Sequence, residues 1–125
     1  MALTLWIALG GAIGAALRHA LNVGIARIAG SDFPWHTMLI NISGSFVMGV
    51  LISMMALRWN VSNDLRAFLT TGILGGYTTF SAFSLDFAFL VERKTYFLAG
   101  AYALGSVVVS LIAIFAGMAL ARTLA

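Results

Sequence analysis

The sequence predicts an all-α membrane protein of four transmembrane helices, the third broken near Gly75–Thr79. Three observations lead there. First, the 125 residues are 62% hydrophobic and only 9% charged, with a mean hydropathy of +1.02. Soluble domains carry about 25% charged residues, and so few charges cannot cover a globular surface. Second, the apolar residues fall into four long runs. A bilayer core takes roughly 20 apolar residues per helix, so four helices use about 80 and leave only short loops. Third, the third run contains Gly75-Gly76-Tyr77-Thr78-Thr79-Phe80-Ser81-Ala82-Phe83-Ser84. Backbone leaves helical geometry at membrane depth only where it is buried in protein or lines a wet cavity. Residues 1–125 are therefore expected to be a single four-helix transmembrane domain, with function inside the membrane part.

Each span follows from local signals. Span one is predicted over about 3–28, with Trp6 as an interfacial anchor and Gly10 and Gly14 as a small-xxx-small pair that admits a close neighbour. The N-terminus lacks the basic region of a signal peptide, so this run is expected to remain as a helix. Gly30-Ser31-Asp32-Phe33-Pro34 is a turn, and Pro34 marks the start of span two, about 35–57. Ser62 or Asn63 is positioned to cap span three, about 65–90, with Asp64 favourable in its first turn. Glu92-Arg93-Lys94 makes a tight charged loop before span four, about 96–120.

Charge and composition remove several function classes. There is no cysteine, which excludes disulfides, thiol catalysis and cysteine metal sites. The seven basic residues are scattered, with no run suited to nucleic acid. His19 and His36 lie far apart near helix ends and form no metal pattern. With four spans, one side carries Arg58, Arg66 and Arg122 and the other Arg27, Arg93 and Lys94, so the positive-inside bias does not choose an orientation. Two readings compete: a weak bias escapes the count, or the chain inserts both ways up. Dual insertion would permit an antiparallel homodimer, giving the inverted symmetry that many transporters take from internal repeats.

Polar residues within the spans mark a pathway or an interhelical contact. On span two, Thr37, Asn41 and Ser45 share a stripe at i, i+4, i+8. On span four, Tyr102, Ser106 and Ser110 do the same, continued by apolar Ile114. On span three, Phe80, Phe83 and Ser84 share a face, beside Ser81. Asn41 is the strongest of these groups, with two donors and an acceptor; helix glue and pathway remain equal readings for it. Gly75-Gly76 is either a helix break whose carbonyls could bind a cation or a kink or close crossing. Arg18, about 22 Å along span one at about 1.5 Å per residue, either snorkels to the far interface, lines an aqueous mouth that attracts anions, or pairs with Asp86.

These residues resemble a known family. Residues 75–84 resemble the GGxTTFSTFS signature of the CrcB/Fluc fluoride channels. Asn41-Ile42-Ser43-Gly44-Ser45-Phe46-Val47-Met48-Gly49 is similar to that family's NxxGxFxxG element. Gly10-Gly11-Ala12-Ile13-Gly14-Ala15-Ala16-Leu17-Arg18 is similar to its GxxGAxxR opening.

The resemblance spans all four helices and implies a dual-topology antiparallel homodimer with two fluoride pores in a prokaryotic inner membrane. It implies that Asn41 donates to fluoride, that Phe80 and Phe83 line the pore, and that Ser84 and Tyr102 belong to the pathway. Ser106 and Ser110 would form a polar track. Thr37 and Ser81 are further pore candidates from the polar faces, with Arg18 as a vestibule candidate. The resemblance also implies a structural sodium ion (Na+) at the dimer centre, held by backbone carbonyls of Gly75 and Thr78; no organic cofactor is expected.

Three positions depart from the pattern, one of them Ile114, whose apolar side chain shortens the polar track of span four. Ala82 stands where the signature more often has Thr or Ser, and Asp86 where Glu is expected. The chemistry suits a small, strongly hydrated anion, since dense donors can replace its water. Phenyl edges carry the positive part of the ring quadrupole, and conduction needs weak, multiple sites rather than one full charge.

Two other classes compete. A proton-coupled small multidrug-type cation exporter has a similar size but needs a membrane-embedded carboxylate, for which Asp86 is the sole candidate. An intramembrane enzyme would need Ser81 or Ser84 with His19 or His36, and no nucleophile-elbow spacing supports it.

Overall fold

The computed structural model describes residues 2–125, and these are helical throughout apart from short connections. The elements are α1 (Ala2–Ala29), α2 (Trp35–Leu57), α3 (Asn63–Ala67), a π-helical segment (Phe68–Leu74), α4 (Gly75–Tyr77), α5 (Phe80–Glu92) and α6 (Tyr96–Leu124). Four stretches are long and apolar enough to cross a membrane: Ala2–Ala29, Trp35–Leu57, Asn63–Glu92 and Tyr96–Leu124. They match the predicted spans to about one helical turn, and α3 through α5 together make the third. Large apolar side chains such as Phe97 and Leu104 point outward, as a lipid-facing surface requires.

The connections follow their local chemistry. Ser62 caps α3, its hydroxyl accepting from the Leu65 N–H at 3.1 Å, and Asp64 lies in that first turn, where an acid suits the helix dipole. At the other end of span three, Lys94 adopts a left-handed conformation, φ 60°. The Thr95 N–H donates to the Leu90 carbonyl at 3.0 Å and the Lys94 N–H to the Val91 carbonyl at 2.9 Å, the paired bonds of a Schellman cap. A side chain in that conformation costs about 1–2 kcal/mol. Lys94→Gly is accordingly expected to stabilise the protein by up to about 1 kcal/mol, read as a later thermal unfolding midpoint in detergent.

Two backbone-to-backbone crossings hold the spans together. Gly49 lies against the Ile114 carbonyl and Gly117 against the Phe46 carbonyl, so α2 and α6 meet without side chains between them. Along α1, Gly14 lies against the Ile73 carbonyl, and a Cβ at Gly10 would stand 2.5 Å from the Phe68 oxygen. A Cβ at Gly76 would stand 2.6 Å from the Gly11 oxygen. The small-residue pair at Gly10 and Gly14 thus admits the first half of span three. The two apolar clusters that pack between helices are Ile40, Leu74 and Tyr77 and Leu90, Ala99 and Tyr102.

The break in span three falls at the end of the predicted stretch. Gly75 and Gly76 remain helical within α4, and Gly76 serves the crossing with α1. The chain leaves helical geometry at Thr78, φ −83° and ψ 158°, and at Thr79, φ −153° and ψ 125°. The glycines therefore act through close approach, and the two threonines form the extended link.

Candidate functional site

At the break, side chains replace the helical hydrogen bonds. In an uninterrupted helix the Thr79 N–H would donate to the Gly75 carbonyl and the Ala82 N–H to the Thr78 carbonyl. Instead the Thr79 N–H donates to Asn41 Oδ1 at 2.8 Å, and Asn41 Nδ2 donates to the Thr79 carbonyl at 3.0 Å. The Ala82 N–H donates to Thr79 Oγ1 at 3.2 Å, which caps α5. The Gly75 and Thr78 carbonyls are thereby relieved of their helical donors. Thr78 Oγ1 turns back to the Leu74 carbonyl at 3.0 Å.

A cleft of about 310 Å³ opens beside this link, with Asn41, Ser45, Phe80, Phe83, Ser106 and Ser110 among its lining residues. Thr78, Thr79, Val107 and Ile114 complete much of the rest. Among the described residues, no ionisable side chain lines it. The Phe80 and Phe83 rings are 5.5 Å apart and tilted by 43°, and Phe80 is 76% exposed. Ser106 is buried, and its hydroxyl has no hydrogen-bond partner. An unpaired buried hydroxyl is costly, so an unsatisfied group in a cleft also lined by an amide and two phenyl rings identifies a position suited to a polar guest.

The remaining sequence candidates lie elsewhere. Tyr102 is fully buried, stacked at 5.1 Å from Phe83, and donates its hydroxyl to Asp86 at 3.1 Å. It therefore continues the aromatic row behind the cleft rather than lining it. Thr37 is buried outside the lining. Ser84 donates to its own helix, to the Phe80 carbonyl at 3.0 Å, and exposed Ser81 lies 3.4 Å from the Thr79 hydroxyl. Arg18 is half-buried on α1, away from the cleft. Sequence reasoning missed Phe33, which meets Tyr102 edge-on at 5.5 Å. It also missed the role of the Thr79 main chain. Phe33 lies in a turn with no helical periodicity, and main-chain partners leave no trace in side-chain spacing.

Four membrane-length helices, an interrupted third span and a neutral cleft of amide, hydroxyl and phenyl groups define an integral membrane protein with a polar site between its helices. The chain belongs to the CrcB-like protein family, described as Camphor Resistance (CrcB), whose pattern matches residues 5–118. It is similar to proteins named fluoride-specific ion channel FluC from Mesorhizobium japonicum, 53% identical over 96% of this chain and 96% of that protein, and from Agrobacterium fabrum, 51% identical over 94% of each. It is also 52% identical to fluoride-specific ion channel FluC 2 of Nitrobacter hamburgensis, over 96% of this chain and 97% of that one.

Proposed function

We propose that this protein is a fluoride-selective channel through which cytoplasmic fluoride leaves the cell passively, so limiting fluoride toxicity. The observation that carries the reading is the cleft: one amide, two phenyl groups and an unpartnered serine hydroxyl converge there without a fixed charge. The relatives at about half identity support the same anion. Fluoride would shed water to these donors and meet the positive ring edges of Phe80 and Phe83. Their weak, repeated contacts let it move on. An inside-negative potential drives the anion outward at about 2.3 kcal/mol per charge per 100 mV. No bond is made or broken, and the protein is not an enzyme. The inner membrane of a bacterium fits the relatives' sources.

The working unit in this reading is an antiparallel homodimer with two pores. The balanced loop charges support it, as does a cleft whose Phe80 wall stands 76% exposed for a second copy to complete. A structural Na+ is part of the same reading. The freed Gly75 and Thr78 carbonyls suit it, since unwound backbone carbonyls coordinate such cations in broken-helix transporters.

Fluoride-electrode efflux from liposomes holding the purified protein tests the function, with chloride as control; chloride flux as fast as fluoride would defeat it. Ser106→Ala adds a finer test. Removing an unpartnered hydroxyl is expected to leave stability unchanged or raise it by about 1 kcal/mol, while fluoride flux falls severalfold. A destabilised variant with normal flux would make the hydroxyl a structural group.

A further inference from the structure

We propose that Asn41 is the positioning residue of the helix break: its carboxamide clamps both main-chain groups of Thr79, which holds Phe80 at the cleft and keeps the Gly75 carbonyl free. Thr79 is extended, φ −153° and ψ 125°. In that conformation the N–H and C=O of one residue point the same way, as in the hydrogen-bonded pair of an antiparallel ladder. The asparagine amide presents an acceptor and a donor side by side, and the two bonds, 2.8 Å and 3.0 Å, make it a one-residue substitute for a neighbouring strand.

No other residue type fills this role at the same reach. Aspartate offers two acceptors, leucine neither group, and glutamine places its amide one carbon too far. Without the clamp, both main-chain groups of Thr79 lose their partners and the extended link is no longer held in place. The Thr79 side chain supplies the second half of the device, because its hydroxyl takes the Ala82 N–H that would otherwise occupy the Thr78 carbonyl. Two side chains thus free both carbonyls suited to a cation, and both belong to residues that line the cleft. Asn41 keeps one amide hydrogen beyond the clamp, so positioning and donation to an anion are compatible.

Residue-resolved amide hydrogen exchange on the full chain in lipid nanodiscs tests this. In the unaltered protein the Thr79 and Ala82 amides are expected to be protected, with and without fluoride. In Asn41→Ala, exchange at Thr79 rises about tenfold or more for the lost pair of bonds, while α6 amides keep their rates. In Thr79→Ala, exchange rises at Ala82 alone, and Thr79→Ser restores it. An unprotected Thr79 amide in the unaltered protein would overturn the proposal, as would full protection in Asn41→Ala. If Asn41→Ala does not fold, the unaltered protein and the Thr79 variants still decide.

The consequence for permeation rests on the channel reading, but the exchange pattern does not. Chloride flux matching fluoride flux alongside a protected Thr79 would strike the channel reading and leave the clamp standing.

Discussion

Fluoride efflux from proteoliposomes is expected to fall by about two- to tenfold in Phe80→Ile and in Phe83→Ile, since tenfold corresponds to about 1.4 kcal/mol and aromatic edge contacts contribute about 0.5–1.5 kcal/mol in proteins. Isoleucine keeps apolar bulk but has no quadrupole, so an anion in the cleft loses its edge-on partner while the wall remains. The two variants should differ in stability. Phe80 is 76% exposed and gives up little packing. Phe83 contacts Tyr102 at 5.1 Å, so its replacement also loosens the aromatic row. Normal flux in both variants would sink the assignment of the rings to the pore.

Gly14→Ala and Gly117→Ala are expected to lose about 3 kcal/mol or more, enough to remove most folded protein from a detergent extract. The added methyl would meet backbone: the Ile73 carbonyl and the Tyr77 nitrogen at Gly14, the Phe46 carbonyl and the Val50 nitrogen at Gly117. Backbone cannot rotate aside as a side chain can, so the helices must separate. Gly100 has open space around its Cβ position, and Gly100→Ala should be neutral or gain up to about 1 kcal/mol in helix propensity. Thermal aggregation followed by size-exclusion chromatography separates these outcomes; equal behaviour of all three would refute backbone contact as the cause.

The spans were legible in the sequence because hydropathy reports lipid contact directly, and Gly10–Gly14 announced a close crossing that the structure contains. The break was legible as a region but not as a residue. Gly75-Gly76 drew attention through composition, yet both stay helical because Gly76 is needed against Gly11. The extended residues are Thr78 and Thr79, whose β-branched side chains tolerate that conformation. The π-helical turn at Phe68–Leu74 was not legible in side-chain spacing; within it Gly72 lies close against Gly10 of α1.

At the site, spacing grouped Asn41 with Ser45, and Ser106 with Ser110, and all four line one cleft. The same spacing also gathered Ser84 and Tyr102, which turn to other partners, and Thr37, which is buried outside the lining. Periodicity identifies a face; only packing decides which part of that face is open. Whether Asn41 joins helices or faces a pathway could not be read from one sequence. Its two bonds to Thr79 and its place in the cleft give it both surroundings.

The bonds that hold Thr79 at the break join residues 38 apart in the chain, whereas the cap that begins α5 is local to span three. The interruption therefore rests on a tertiary contact as well as on the local cap of span three. The site exists only where α2 packs against span three. A substitution anywhere along that docking surface can abolish the cleft in a protein that still has four fully inserted helices.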